Sequence, residues 1–221
     1  VGLLGPNGAG KTTTLRMLAT LLAPTEGHAW VGGHDVVTAS RQVRASLGYL
    51  TGDTGLYGRL TPREVLNYFG ALHGMGRQEI ESRTETLDGA LGLAPFIDQR
   101  CDTLSTGQKQ RASIARALVH DPDVLILDEP TSGLDLLAAR EILNFFREAA
   151  QQGKAVLMST HIMAEVALIC DRAAVIHHGT IRASGTLQEL QAISGAKDLT
   201  QGFLTLLGEG EPADETGEVT P

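Results

Sequence analysis

The chain has 221 residues, 42% of them hydrophobic and 20% charged, a balance that indicates a folded domain with room for an inserted subdomain and excludes a disordered chain. Its net charge is −8, of which −5 lies in the acidic stretch 208–221 and −3 in the remaining residues. Because these remaining residues are nearly neutral in sum, the charge argues against a broad basic surface that binds nucleic acid. No apolar run approaches the roughly 20 residues that cross a bilayer.

The first residues, Val1–Leu4, are typical of a buried parallel strand already in progress, and no methionine precedes them. We therefore expect an N-terminally truncated sequence. Since no secretory signal is recognisable, Cys101 and Cys170 are expected to be reduced thiols rather than a disulfide.

Apolar runs alternate with helical segments in the first part of the chain. Pro24 ends the first predicted helix. The Gly32-Gly33 pair predicts the turn of a β-hairpin that keeps Trp30 in the core. The predicted elements here are a strand at 1–4, a helix at about 11–22, a hairpin at 29–37 and a strand at 47–50.

Two capping boxes mark helix starts in the middle of the chain. Thr61 with Glu64 predicts a helical stretch that reaches about residue 91, and Ser105 with Gln108 predicts a helix that reaches Val119. The later predicted elements are strands at 124–127 and 155–158, a helix at 141–150 and a hairpin at 173–183.

Together these elements predict an α/β fold. The continuous apolar strands are typical of a mostly parallel core sheet, to which antiparallel β-hairpins are added. The mostly helical block at about 61–120 is predicted to be an inserted helical subdomain.

The turn after the first strand fits the pattern Gly-x4-Gly-Lys-Ser/Thr of a phosphate-binding loop, which predicts a P-loop NTPase. Its glycines allow backbone N–H groups to turn inward around phosphate oxygens, and the following helix N-terminus adds partial positive charge. Lys11 would reach the β- and γ-phosphates of ATP, and the Thr12 hydroxyl would coordinate Mg²⁺. The predicted nucleotide contacts are Gly5, Pro6, Asn7, Gly8, Ala9, Gly10, Lys11, Thr12 and Thr13.

Two carboxylates follow the apolar run 124–127, at the end of a strand where ligands bind in open α/β sheets. Asp128 would hold Mg²⁺, and Glu129 would orient and deprotonate the attacking water. A strand that ends in acids is common by itself, so this interpretation depends on the phosphate loop.

The segment Leu104–Gln108 reads LSTGQ and has two interpretations. Ser105 and Gln108 predict a helix cap. A helix N-terminus with a serine hydroxyl and the bare N–H of Gly107 is also a site for an anion. The physical argument leaves both interpretations open.

These motifs, in this order and spacing, resemble the ATP-binding subunits of ATP-binding-cassette (ABC) transporters over residues 1 to about 190. The shared features are the phosphate loop, the LSTGQ segment and the Leu127-Asp128-Glu129 run. The usual form of the second is LSGGQ, so Thr106 replaces a glycine. The resemblance implies an ABC ATPase domain at 1–194 and a C-terminal extension at 195–221, predicted to be disordered from about 208.

The resemblance also implies the roles of further residues. The run 132–135 is similar to the family's D-loop, in which Asp135 would connect two nucleotide sites, and His161 is similar to the switch histidine that contacts the γ-phosphate. Each nucleotide would lie between the phosphate loop of one subunit and Ser105, Gly107 and Gln108 of a second, in a homodimer.

The stretches 47–64 and 170–179 resemble bacterial exporters of the ABC-2 type, and most of all the sodium-efflux ATP-binding subunits. This implies an ATPase that powers export through a separate transmembrane permease subunit, on the cytoplasmic side of the membrane. The alternative is a soluble ABC ATPase that acts on ribosomes or DNA. Such proteins usually carry two cassettes or long coiled-coil insertions, and this sequence shows neither.

Two departures from the family pattern stand out. The aromatic residue that stacks on adenine lies upstream of the phosphate loop in the family, and this chain starts after it. The family's glutamine that contacts Mg²⁺ is also missing, because the corresponding segment reads Thr51-Gly52-Asp53. Asp53 is a candidate replacement, and a solvated turn is the alternative.

Overall fold

The computed structural model describes residues 1–52, 55–195 and 199–208. Asp53 and most of the acidic tail therefore lie outside the described residues, as do the predictions made for them. The chain divides into two compact units, one formed by 1–12 with the described residues from 159 onward and one formed by 13–158. No helix in the described ranges is long and apolar enough to cross a membrane.

Strands and helices alternate along the described residues. The strands are β1 (Gly2–Leu4), β2 (Trp30–Val31), β3 (His34–Asp35), β4 (Leu47–Leu50), β5 (Val124–Asp128), β6 (Ala155–Thr160), β7 (Arg172–His177) and β8 (Thr180–Thr186). The α-helices are α1 (Lys11–Leu18), α2 (Ser40–Ser46), α3 (Pro62–Leu72), α4 (Arg77–Leu91), α5 (Thr106–Leu118), α6 (Leu136–Gln151), α7 (Met163–Ile169), α8 (Leu187–Ser194) and α9 (Leu199–Leu207).

In the first unit, β1 pairs with β7 in parallel, with Gly2 opposite Ala173. β7 and β8 form an antiparallel hairpin, whose turn contains His178 and Gly179, both with positive φ. Leu3 and Leu4 of β1 and Val175 and Ile176 of β7 are buried, as expected for strands covered on both faces. The hairpin predicted at 173–183 is confirmed.

In the second unit, β4 pairs with β5 in parallel, and β2 and β3 form a small antiparallel hairpin. Gly32 and Gly33 make its turn with φ of 58° and 79°, the left-handed conformation that glycine adopts without strain. The helices α3, α4 and α5 occupy the block predicted to be helical. The predicted α/β class with parallel strands and antiparallel hairpins is confirmed.

Three local predictions differ from the structure. The first helix ends at Leu18 rather than near residue 22, and Thr20 follows with a φ of 61°. The helix predicted at 141–150 starts earlier, because Asp135 caps it. Trp30 is 63% exposed and stacks on His28, with ring centroids 5.8 Å apart, so its expected place in the core is wrong.

Candidate nucleotide-binding site

The phosphate loop links β1 to α1 in the first unit. Gly8 and Gly10 have φ of 80° and 104°, which a side chain would strain. The Ala9 N–H donates to the Pro6 carbonyl at 3.2 Å. The loop thus has backbone conformations that require glycine at these two positions, as the glycine pattern predicts.

The β7–β8 hairpin supports this loop. A Cβ on Gly5 would lie 2.4 Å from the Ile176 carbonyl oxygen, so only glycine fits there. The Gly179 N–H donates to the Ala9 carbonyl at 2.9 Å. Ile176 and Gly179 therefore help to shape the loop, although no motif in the sequence marks them for that role.

Lys11 directs its side chain back into the loop. The residue is 5% exposed, and its Nζ donates to the carbonyls of Gly5 at 2.7 Å and Pro6 at 3.2 Å. These bonds hold the ammonium group against the backbone of the glycine loop, and a cation in that position favours a polyphosphate ligand. Thr12, which begins α1 with Lys11, is half-buried, and Thr13 is exposed.

His161 lies in the first unit, directly after Thr160 at the end of β6, and its side chain is exposed. Its neighbour Thr160 is buried and accepts a hydrogen bond from the Ile162 N–H at 3.0 Å. This bond closes a tight turn around His161, so the histidine is presented at the end of a strand rather than on a loose loop.

The two carboxylates at the end of β5 lie in the second unit. Asp128 is 4% exposed, and Glu129 is half-buried with a φ of 48°. A positive φ at a non-glycine residue stores backbone strain. A bond from the Ser132 N–H to the Glu129 carbonyl, at 3.1 Å, holds this conformation.

The surroundings of Asp128 fit a hydrated divalent cation. Tyr49 on β4 is paired with Ile126, so Tyr49, Ile126 and Asp128 lie on one face of the two strands. The Tyr49 hydroxyl is buried without a hydrogen-bond partner among the described residues. Burial raises the pKa of Tyr49, the charge of Asp128 adds to this rise, and the nearby guanidinium of Arg16 opposes it. A buried carboxylate beside a hydroxyl suits the water shell that Mg²⁺ keeps.

The LSTGQ segment forms the predicted capping box at the start of α5. The Ser105 N–H donates to the Gln108 side chain at 2.9 Å, and the Gln108 N–H donates to the Ser105 hydroxyl at 3.3 Å. Because that hydroxyl acts as an acceptor in the cap, its own proton remains suited to an anion. The two interpretations of Ser105 are therefore compatible, and both Ser105 and Thr106 face solvent.

The segment that follows Glu129 lies beside this helix start. A Cβ on Gly133, whose φ is 74°, would lie 3.3 Å from Thr106 Cγ2. Asp135 then caps α6 by accepting from the N–H groups of Leu137 at 3.0 Å and Ala138 at 2.9 Å. Asp135 is thus a helix cap, which its residue type predicts, and its side chain is exposed.

The predicted site residues divide between the two units. The phosphate loop through Thr12 lies with His161 in the first unit, and the second unit contains Thr13, Asp128, Glu129, Asp135 and the LSTGQ segment. The sequence reasoning missed two residues near the site, Tyr49 and Gln110. The side-chain amide of Gln110 donates a hydrogen bond to the Pro130 carbonyl at 2.5 Å. Gln110 could have been noticed as the last residue of the polar LSTGQKQ run.

Comparison with protein families gives a match between residues 1–132 and the model described as "ABC transporter". A second model matches residues 98–167 and is described as "AAA domain, putative AbiEii toxin, Type IV TA system". The first match covers more than half of the chain and includes both the phosphate loop and the LSTGQ segment.

Individual proteins agree with the first family. The "ABC transporter ATP-binding protein NatA" of Bacillus subtilis (strain 168) is 42% identical over 95% of this chain and 86% of its own length. The "Nod factor export ATP-binding protein I" of Paraburkholderia xenovorans (strain LB400) is 39% identical over 99% of this chain and 73% of its own length. A solved dimeric, post-hydrolysis ATP-binding cassette bound to ADP and Pi is 26% identical, with a TM-score of 0.75 and 84% of each chain covered.

Proposed function

This chain belongs to the ABC transporter family of ATP-binding proteins, and from that premise we propose that it powers export of a substrate across a bacterial membrane through a separate transmembrane subunit. The chain is an ATPase of this family. The observation that carries the proposal is the buried Lys11 ammonium, held 2.7 Å from the Gly5 carbonyl inside a glycine loop. This arrangement supports binding of a nucleoside triphosphate by its phosphates.

We assign the hydrolytic chemistry to Glu129. Its carboxylate would take one proton from a water whose oxygen forms a new bond to the γ-phosphorus. The bond between that phosphorus and the bridging oxygen of ADP then breaks, which yields ADP and phosphate. His161 would donate a hydrogen bond to the γ-phosphate from its turn after Thr160.

The residues that would hold Mg²⁺ are Thr12 and Asp128. The ion, when bound, would neutralise the charge of the phosphate oxygens. Asp128 would meet it through water, and the nearby Tyr49 hydroxyl is suited to that water shell. This part of the proposal depends on the buried carboxylate and hydroxyl described above.

A second subunit would complete each site. Ser105 and Gly107 would donate to phosphate oxygens of the nucleotide that the partner's phosphate loop holds, and Gln108 would maintain the Ser105 cap. Leu136 and Leu137, directly after Asp135, are 85% and 74% exposed. Two adjacent exposed leucines favour a protein interface, and their position beside Asp135 supports its proposed role between two sites. The related solved structure is itself dimeric.

A membrane partner is supported by a different surface. Tyr57, Tyr68 and Leu72 are exposed, and the rings of Tyr57 and Tyr68 meet edge to face with centroids 6.4 Å apart. We propose that a cytoplasmic loop of the transmembrane subunit covers these side chains, which places the chain at the cytoplasmic side of the membrane. Export is the direction because one relative is named for Nod factor export.

The test measures ATP hydrolysis by the wild-type chain, by Lys11→Ala and by Lys154→Ala as a matched control. Lys154 bonds Asp121 and the Pro122 carbonyl, away from any proposed site residue. Loss of activity in Lys11→Ala alone supports the proposal. Co-purification of the tagged chain with a polytopic membrane protein supports the transport role, and co-purification with ribosomes or DNA would replace it by the soluble alternative.

A further inference from the structure

The turn after β5 has an unfavourable backbone conformation at the proposed general base. Glu129 has a φ of 48°, a value that strains the backbone of a residue with a side chain. Pro130 follows, and a proline favours an extended conformation in the residue before it. The turn therefore keeps this conformation only because other contacts hold it.

Two hydrogen bonds within the turn define its local shape. The Ser132 N–H donates to the Glu129 carbonyl at 3.1 Å, and the Leu134 N–H donates to the Thr131 carbonyl at 3.1 Å. Each bond joins residues that are three positions apart, so neither connects the turn to a distant part of the chain. The direction in which the Glu129 side chain projects thus depends on contacts of longer range.

Gln110 makes a contact of that kind from α5. The residue is 4% exposed, and its side-chain amide donates to the Pro130 carbonyl at 2.5 Å. Gln110 shares the buried face of the helix with Ser113 and Ile114, three and four residues later. An amide that is buried without a hydrogen bond is unfavourable, so this bond stabilises the glutamine as well as the turn.

The place of this bond restricts the backbone of Glu129. The ring of Pro130 fixes its φ at about −65°. Only ψ of Pro130 can therefore rotate between its carbonyl and the peptide that joins it to Glu129. A hydrogen bond that holds the carbonyl also restrains that peptide, from which the Glu129 side chain projects.

We propose that Gln110 is a positioning residue for Glu129, and that its bond to Pro130 keeps the carboxylate directed at the water that attacks ATP. This inference rests on the proposed function. It gives α5 a role within its own subunit, whereas Ser105 at the start of the same helix is assigned to the nucleotide of the partner. Without the bond, Glu129 would return to a negative φ and its carboxylate would be displaced.

The first experiment measures kcat and KM for ATP in the full chain for the wild type, Gln110→Met and the control Thr84→Val. Methionine resembles glutamine in length and donates no hydrogen bond. We expect Gln110→Met to lower kcat about 10–100-fold, because misplacing a reacting group by about 1 Å has an effect of this size, with KM unchanged. Thr84→Val removes a different buried bond, from the Thr84 hydroxyl to the Ile80 carbonyl in α4, and should leave kcat near the wild-type value.

Gln110→Glu tests the hydrogen bond itself. A neutral carboxyl donates to the Pro130 carbonyl, and an ionised carboxylate cannot. Burial favours the neutral form of a carboxyl, so lowering the pH from about 8.5 to about 6 should raise kcat of this variant relative to the wild type at the same pH. The same ratio for Gln110→Met should stay constant. A ratio for Gln110→Glu that does not change with pH would overturn the proposal, and this comparison stands even where Gln110→Met does not fold.

A double-mutant cycle identifies the group through which Gln110 acts. In the Glu129→Gln background the general base is already lost, so the addition of Gln110→Met should lower the residual turnover no further. An equal loss in both backgrounds would place the effect of Gln110 elsewhere, for example on Ser105, and would overturn the proposal.

Crystal structures of the wild type and of Gln110→Met give a readout that needs no hydrolysis. We expect Glu129 to have a positive φ in the wild type and a negative φ in the variant. An inactive wild-type chain would overturn the proposed function, and these structures would still decide the role of Gln110. An unchanged φ or an unchanged kcat in Gln110→Met would overturn that role, as would an equal loss of kcat in Thr84→Val.

Discussion

The Thr160 hydroxyl donates a hydrogen bond of 2.5 Å to the buried carboxylate of Glu165. Thr160 ends β6 and precedes His161, and Glu165 lies in the first turn of α7. Because Thr160 also accepts from the Ile162 N–H, its hydroxyl fixes the turn that presents His161. Glu165 thereby controls the orientation of a residue that it follows by four positions.

Replacement of Glu165 tests this relationship. Glu165→Ala leaves the buried Thr160 hydroxyl without this acceptor and should reduce the free energy of unfolding by about 1–3 kcal/mol. Glu165→Gln keeps an acceptor oxygen and should lose less. Urea unfolding measures both, and ATP turnover should decrease in the same order. Equal stability of Glu165→Ala and the wild type would contradict the role given to this bond.

Gly5→Ala should disable the phosphate loop. The new Cβ would lie 2.4 Å from the Ile176 carbonyl oxygen, so either the loop or β7 must move. We expect a loss of about 1–3 kcal/mol in stability together with weaker ATP binding. Thermal unfolding and nucleotide titration measure the two effects. Gly76→Ala is the control, since a Cβ there meets nothing within 4 Å.

Glu129→Gln should preserve ATP binding and lower turnover by about 10²–10⁴-fold, the usual effect of losing a general base. The amide keeps the shape of the side chain but cannot accept the proton from water. The variant should accumulate ATP-bound dimers, which size-exclusion chromatography with ATP detects. Near-normal turnover would remove Glu129 from the proposed chemistry.

A mixed dimer distinguishes the two roles of Ser105. If Ser105 acts on the nucleotide of the partner, a Ser105→Arg subunit paired with a Lys11→Ala subunit contains one site with both an intact loop and an intact Ser105. Isolated mixed dimers should therefore hydrolyse ATP faster than either variant alone. If Ser105 served its own subunit's loop, each site would contain a defect and the mixed dimers would stay inactive.

The stability of the second unit should fall in mild acid. His120 stacks on His73 with ring centroids 3.5 Å apart, and burial, with a smaller contribution from His73, lowers the pKa of His120 to about 4. In the unfolded chain a histidine titrates near 6.5, so between about 4 and 6.5 the unfolded state binds more protons. The contribution of His120 to the free energy of unfolding is therefore fully present above the pKa that histidine has in the unfolded chain. It is lost as the pH falls below that pKa toward about 4.

Urea unfolding at pH 7 and pH 5 measures this loss. We expect about 1 kcal/mol from His120, after allowance for solvent screening at a half-buried ring. His120→Gln should flatten the difference between the two conditions, because glutamine does not titrate. If the wild-type chain had the same free energy of unfolding at both pH values, protonation of His120 in the folded state would cost no free energy. That result would contradict the prediction.

Local features were predictable because they depend on neighbours in sequence. The capping boxes at Thr61 and Ser105, the Gly32-Gly33 turn and the glycines of the phosphate loop all formed as expected, since each satisfies backbone N–H groups or φ angles within a few residues. The same reasoning failed for Trp30, because the exposure of a side chain depends on whether residues distant in sequence pack against it.

The sequence by itself determined the family and the order of the motifs. It also determined which residue types are available to bind phosphate, to bind a metal ion and to transfer a proton. The tertiary structure decided which distant groups meet: the Ile176 carbonyl against Gly5, the Pro130 carbonyl against Gln110, and the Tyr49 hydroxyl on the face of Asp128. These contacts follow from strand register and helix packing. No local pattern encodes them, because residues far apart in sequence become neighbours only when the strands pair and the core closes.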